Sequence, residues 1–304
     1  MRATRLKFGA TFLAPLLVIS LLISSPAKAS LGGEEVLGNT FAVGMTFKDA
    51  GIEKVCSGAL IGPKLIVTAA HCVVGQDGSR NKDFIFTAPG TALDAAIDPS
   101  VTPPKIKKIY KPISYTNSSR SSGEDIAFIE LDKLIAKKGF IRIATPAEID
   151  SLLKDQLVDG YGYGAVFETK SPYSPYPRKY RMTWRAIYEN SALKPRLELT
   201  SDVAAACSGD SGGAITTKLP SGEEVLLAVL SGASTVQDLC GQRGLDGLYR
   251  MLVTTLNPYL FLVKGIFDPA NPAPILKITC WKGKVKRTVK GLDPKCPKGY
   301  TLKK

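Results

Sequence analysis

Histidine occurs once in the 304-residue sequence, in the run Thr68-Ala69-Ala70-His71-Cys72, well before the glycine-flanked serine of Gly209-Asp210-Ser211-Gly212-Gly213. Near neutral pH an imidazole is the usual base that activates a serine hydroxyl. If Ser211 is a nucleophile, its base is therefore His71, and the two segments stand or fall together. The chemistry needs two further parts: a carboxylate that orients the imidazole, and N–H donors for the oxyanion formed when a carbonyl is attacked. Glycines around Ser211 suit the second requirement, because amides without side chains can approach a reacting carbonyl closely. The expected donors are the amides of Gly209 and Ser211. Activity should fall as the imidazole takes up a proton.

Residues 209–213 also satisfy Gly-x-Ser-x-Gly, the turn that carries the serine of α/β-hydrolases. That fold runs serine, acid, histidine, and no histidine follows Ser211. A subtilisin order requires an aspartate ahead of the histidine; the only one is Asp49, without any parallel α/β patterning around it. Histidine, aspartate, serine is the order that remains. Between the two segments lies Asp125-Ile126-Ala127-Phe128-Ile129-Glu130-Leu131, an acid leading an apolar strand, with Glu124 and Asp132 as competing carboxylates. Zinc is the rival use of cysteine and histidine, but no Cys-x-x-Cys pair occurs, so no metal is expected.

The elements that must carry these residues read as β-structure. From Ser30 to about Tyr249, short β-type runs such as 58–61, 65–67, 84–86, 126–129 and 225–230 alternate with Gly, Pro, Asn and Asp clusters. This predicts an antiparallel all-β barrel or sandwich. Asn257-Pro258 reads as an N-cap with proline at the first helical position, opening a helix through about Phe267. Residues 267–274 form a proline-rich linker, and 275–304 a basic extension. Another proline-rich stretch, 171–178, is expected to be an exposed loop.

At the amino terminus Arg2, Arg5 and Lys7 precede an apolar run from about 8 to 23 and the small residues Ala27 and Ala29. That is the order of a secretory signal over residues 1–29, cut after Ala29, and it predicts a secreted protein. Export lets disulfides persist. Six cysteines permit fifteen pairings, and neighbours along the chain are Cys56 with Cys72, Cys207 with Cys240, and Cys280 with Cys296. The net charge of +13 divides into +4 for residues 1–29, +9 for 275–304 and none for the body between. The basic extension is thus expected to meet an anionic cell-wall or surface polymer. Nucleic acid is not an expected partner of an exported protein, and the protein is expected to be a monomer.

Taken together, the histidine, aspartate and serine segments resemble those of the trypsin-like (chymotrypsin-fold) serine proteases, over roughly residues 30–266. Gly160-Tyr161-Gly162 resembles a further turn of that family, with tyrosine where tryptophan is common. The basic end resembles short cysteine-pinned extensions of some secreted actinobacterial proteins. The resemblance implies an all-β fold of two antiparallel six-stranded β-barrels, approximately 30–150 and 151–266, with a C-terminal helix, a small disulfide-pinned basic tail and a cleft between the barrels. It implies an endopeptidase acting on proteins or peptides without a cofactor: His71 as base and then acid, Asp125 as its orienting carboxylate, Ser211 as nucleophile. Ser231 would support the buried aspartate and, with Gly232 and Ala233, begin the substrate edge. Ala205, six residues before the nucleophile, takes the pocket-floor place that is an acid in trypsin, and Gly247 lies on the pocket wall. An apolar residue before the scissile bond follows, with Asp246 or Asp238 as acids able to restore a basic preference. Two bridges, Cys56–Cys72 and Cys207–Cys240, are also implied, as is an ion pair between Asp210 and the freed amino terminus at Ser30. A non-catalytic binding protein or an esterase on the same fold are the alternatives.

Overall fold

Two sheets, each rolled about its own apolar interior, account for most of residues 42–255. The computed structural model describes residues 33–39, 41–93, 103–116, 123–152, 155–165, 173–185, 196–234, 236–237, 239–272, 275–292 and 294–302. Residues 1–29, expected from sequence to be a secretory signal, together with Ser30 and Asp238, lie outside them. The first sheet contains β1 (Ala42–Asp49), β2 (Ile52–Gly62), β3 (Leu65–Thr68), β4 (Lys82–Phe86), β5 (Ile106–Tyr110) and β6 (Ala127–Leu131), in the spatial order β4-β1-β2-β3-β6-β5. It curls into a half-barrel.

The second sheet contains β7 (Leu157–Gly162), β8 (Arg178–Arg185), β9 (Arg196–Ser201), β10 (Ala214–Lys218), β11 (Glu224–Ala233) and β12 (Tyr249–Thr255). Every neighbour in the ring β7-β8-β9-β12-β11-β10 is antiparallel, and β10 pairs back onto β7, so this barrel is closed. The short strand Glu34–Glu35 pairs with β8, and Arg142–Ile143 lies parallel to β11.

Several strands are apolar on both faces because each face has a different core to enter. In β3, Ile66 turns into the interior of the first sheet with Met45, Leu60 and Ile129. Its neighbours Leu65 and Val67 instead join Phe128, Tyr161, Leu226 and Val229 in a core shared by the two units. A third cluster, with Met182, Leu199, Leu227 and Met251, fills the closed barrel. Each such fully buried side chain contributes roughly 1.5–3 kcal/mol. The shared core fixes the two units against each other, and the cleft between them is where residues from both meet.

The segment after β12 departs from the sequence reading. It is a 3-10 helix over Asn257–Val263, not a longer helix, and Asn257 is its first residue rather than its cap. The Asn257 side chain donates to the Ala144 carbonyl at 3.1 Å, so it bridges to the chain ahead of the second barrel. Leu256, Tyr259 and Val263 enter the shared core. A short helix is present at Pro146–Asp150, closed by a reciprocal Thr145–Glu148 capping box. The described part of the proline-rich stretch is packed rather than exposed: Ser174 and Pro177 are buried. The Pro175 carbonyl accepts from the Leu93 amide at 2.6 Å and the Pro177 carbonyl from Val36 at 2.9 Å. Prolines give up donors but keep acceptors, and here those acceptors tie the stretch down.

The linker packs through Phe267 on the shared core. Beyond it β13 (Leu276–Lys282), β14 (Val285–Gly291) and β15 (Thr301–Leu302) form a separate sheet in the order β14-β13-β15. All three neighbouring cysteine pairs are disulfides.

Candidate active site

β3 is buried along its whole length and delivers the chain into a single 3-10 turn, Ala70–Cys72. Ala69 and Ala70 are fully buried, so the turn lies tight on the sheet, and Cys72 ties it to β2 through Cys56. One carboxylate holds His71 twice. The His71 amide donates to Asp125 Oδ1 at 2.9 Å, and His71 Nδ1 lies 2.8 Å from Oδ2. Ser231 Oγ, from β11, donates to the same Oδ2 at 2.6 Å. Asp125 itself is fully buried just ahead of β6. Burial pushes its carboxyl upward, but the His71 charge and the hydrogen bonds from His71 and Ser231 outweigh this, so it is held below the usual carboxylate range. In the neutral ring, a proton on Nδ1 facing the carboxylate leaves Nε2 as the acceptor.

Ser211 stands in the loop that enters β10. Gly212 beside it has φ +80°, and a Cβ there would sit 2.0 Å from Thr68 Oγ1 and 2.3 Å from the Ser57 carbonyl oxygen. Only glycine lets this loop of the second barrel press onto β2 and β3. Ser57 completes the junction. Its amide donates to the Ser211 carbonyl at 2.8 Å; its hydroxyl donates to the Gly209 carbonyl at 2.7 Å and accepts from the Tyr163 amide at 2.8 Å. Within the loop, the amides of Asp210, Gly212 and Gly213 donate to Cys207, Leu230 and Asp210 carbonyls. Those of Gly209 and Ser211 make no hydrogen bond among the described residues. Both residues line the same cleft as His71.

That cleft encloses about 780 Å³ between the two units. Ser231, Gly232 and Ala233 line it, as do Leu239 and Leu252. Ala205 is fully buried, and its neighbour Ala206 reaches the cleft in its place. Gly247 is not part of the lining. Asp246 is outside the lining too, and its carboxylate is committed to Arg250, whose Nη1 lies 2.9 Å away. The hydrogen bond from Arg250 holds the Asp246 carboxyl down at about 2.

Asp210 is fully buried and is bound by two amides, Gly164 to Oδ1 and Cys207 to Oδ2, both at 2.8 Å. A Cβ at Gly164 would lie 2.3 Å from that carboxyl, so the approach again requires glycine. Burial pushes the Asp210 carboxyl up to about 7, against the pull of the two amides and Arg178. Arg178, the first residue of β8, donates through Nη2 to the Gly33 carbonyl and approaches Glu35 at 3.6 Å. The first described residues of the chain are thereby tied to β8.

The donor atoms of Cys56, His71 and Cys72 lie within 4.8 Å of one another. The two sulfurs are joined in a disulfide, and a disulfide sulfur is not the thiolate that zinc takes. Two residues at the site went unread in the sequence. Ser57 carried no signal beyond its place after Cys56, and Tyr173, whose ring lies against Gly209, was hidden in the proline-rich stretch.

Comparison with known proteins agrees with this architecture. The family model described as Trypsin matches residues 31–255. A trypsin-like protease of Streptomyces glaucescens is 28% identical over 211 residues, which cover 66% of this chain and 71% of that protein. The chymotrypsin-like elastase family member 3B of Homo sapiens is 24% identical over 204 residues, 62% of this chain and 73% of that protein. The Spaetzle-processing enzyme of Drosophila melanogaster is 23% identical over 242 residues, 70% of this chain, and the match spans 59% of its length. By the match along most of its length and by its paired β-units, the chain belongs to the trypsin family.

Proposed function

We propose that this chain is a secreted serine endopeptidase that hydrolyses peptide bonds through an acyl-enzyme. The observation that carries the reading is the His71–Asp125 pair, 2.8 Å apart, opening on a cleft shared with Ser211 and two uncommitted amides. Ser211 Oγ adds to the substrate carbonyl while His71 Nε2 takes its proton, and Asp125 stabilises the imidazolium. The negative oxygen accepts from the amides of Gly209 and Ser211. Collapse expels the amine, which leaves with the proton held by His71, and the acyl group remains on Ser211. Water then adds to the acyl carbon, giving its proton to the same nitrogen, and the carboxylic acid departs as Ser211 recovers its hydrogen.

An apolar residue before the scissile bond fits Ala206, the alanine that reaches the cleft, since a buried lysine or arginine beside it would lack a counter-charge there. The commitment of Asp246 to Arg250 supports the same preference. The amino terminus at Ser30 is read as the cation that meets Asp210, made available when the signal is removed after Ala29. Sequencing the terminus of the secreted, active protein tests this, and an active form that retains residues before Ala27 sinks it.

A fluorophosphonate probe tests the catalytic reading. Labelling of the wild type that disappears in Ser211→Ala supports it, whereas a folded wild type that takes no label is a binding protein on the same fold. Cleavage of esters with none of peptides identifies an esterase. Cleavage-site profiling on a denatured protein mixture reads the preference, and cuts after lysine and arginine overturn the apolar assignment.

A further inference from the structure

Among the described residues the sheet β14-β13-β15 pairs with no other strand, and its strand register sorts its side chains onto two unlike faces. Residues directly opposite in an antiparallel pair project to the same side. The partners Ile278 with Val289, and Cys280 with Arg287 and Leu302, define one side. Cys280 is buried and bound to Cys296 on this side, with Ile278 and Val289 half-buried beside it and Leu276, Lys282, Val285, Arg287 and Leu302 exposed. The partners Lys277 with Lys290, Thr279 with Thr288, and Trp281 with Lys286 and Thr301 define the other. Lys277, Lys286, Thr288, Lys290 and Thr301 are exposed there, and Trp281 is half-buried.

This open face is unfavourable as it stands. Two lysines directly opposite each other repel, and like charges so placed destabilise a sheet. Residues 275–304 hold ten lysines and arginines against Asp293 alone, so the extension has almost nothing of its own to neutralise them. A sheet this small depends on its disulfide for stability, which makes a repelling pair on its ladder harder to explain as packing. An anion laid across the face removes the repulsion.

We propose that this face binds a polyanionic polysaccharide. The lysine pair lies at one end and Lys286 at the other, about 14 Å apart at the rise of an extended strand. The interval is filled by threonine hydroxyls, able to meet sugar hydroxyls, and by one indole, whose flat apolar ring suits the face of a sugar. A membrane surface fits less well, because the exposed apolar side chains Leu276, Val285 and Leu302 are on the side opposite the lysine pair and Lys286. Nucleic acid fits less well because a single-strand platform stacks successive bases on several aromatic rings, and this face has one. The proposal does not depend on the protease reading, and its assay measures no cleavage.

Retention of the full chain on immobilised polygalacturonate, followed with rising salt, provides the test. The variant Lys277→Gln/Lys286→Gln/Lys290→Gln should bind about a hundredfold more weakly, at roughly a decade for one to two lysines. Lys284→Gln/Lys295→Gln/Lys298→Gln removes the same charge from the hairpin turn and the returning segment, and should lose less than a tenth as much. Trp281→Ala should weaken binding with an unchanged salt dependence, and Trp281→Phe should restore most of it. Equal losses in the two lysine triples overturn the proposal, since net charge alone would then explain retention. So does retention of double-stranded DNA or phosphatidylglycerol vesicles to higher salt than polygalacturonate. Thiol titration checks that Cys280–Cys296 survives; if the on-face triple loses it, Lys277→Gln and Lys290→Gln singly carry the comparison, and no weakening in either overturns the assignment.

Discussion

Asp125 accepts from the His71 amide, the His71 ring and the Ser231 hydroxyl in a place closed to water. A hydrogen bond to a charged group contributes about 1.5–3 kcal/mol. Ser231→Ala is therefore expected to lower kcat/KM about tenfold to a hundredfold, read on an apolar peptide substrate. The sign on the pH axis follows as well. A carboxyl held below its ordinary range stabilises the fold above its unfolded value and loses that contribution as pH falls through its folded one. Without Ser231 the folded value rises, so acid unfolding should begin at higher pH, as circular dichroism would show. Ser57→Ala tests the junction: it leaves the buried Tyr163 amide without its acceptor and should cost about 1–3 kcal/mol in urea denaturation. The order of the histidine, aspartate and serine segments led to the expectation that His71, Asp125 and Ser211 share a site, and the fold pairs His71 with Asp125 and sets Ser211 on the same cleft. Ser57 was not legible in the sequence, because its hydroxyl works only where it meets Tyr163 and Gly209, 106 and 152 residues further along.

Strand positions were legible wherever a run of apolar residues had a single explanation. The separation of Leu65 and Val67 from Ile66 into two cores was not, since an unbroken apolar run does not say which side faces which partner. The Thr145–Glu148 box was visible in type and spacing, yet a five-residue helix is too short to show periodicity. The 3-10 helix was placed correctly but read as longer, because Asn257 is an ordinary cap in sequence and a long-range donor in the fold. The amino-terminal segment carries a prediction that depends on such distant pairing. Burial holds the Asp210 carboxyl at about 7 rather than 3.8. The native state then binds more protons than the unfolded chain, so stability declines as pH rises from about 4 to about 7, by about 4 kcal/mol in all. An amine at Asp210 removes that decline. Denaturation of a form beginning at Ser30 should be nearly flat over this window, while a form that retains the preceding residues should weaken across it. Equal weakening of both would leave Ser30 without its assigned partner.

The charge of the molecule is divided as sharply as its structure. Residues 30–274 are neutral in sum, residues 1–29 carry +4, and the remaining +9 belongs to residues 275–304. Among the described residues, β13, β14 and β15 pair with one another and with no strand of the two larger units. The linker belongs to the larger body instead, since Phe267 packs on the shared core and the Pro272 carbonyl lies against Gly62 of β2. The linker is thus held on the larger body as far as Pro272. A chain ending there should keep kcat/KM for a short neutral peptide within about twofold, because nothing lining the cleft is removed. One ending at Val263 should melt several degrees lower, since it exposes core that Phe267 covers, at about 25 cal/mol per Å² of apolar surface. Calorimetry of the two truncations beside the full chain distinguishes them, and an equal loss of melting temperature in both would mean that the terminal sheet, rather than the linker, braces the body.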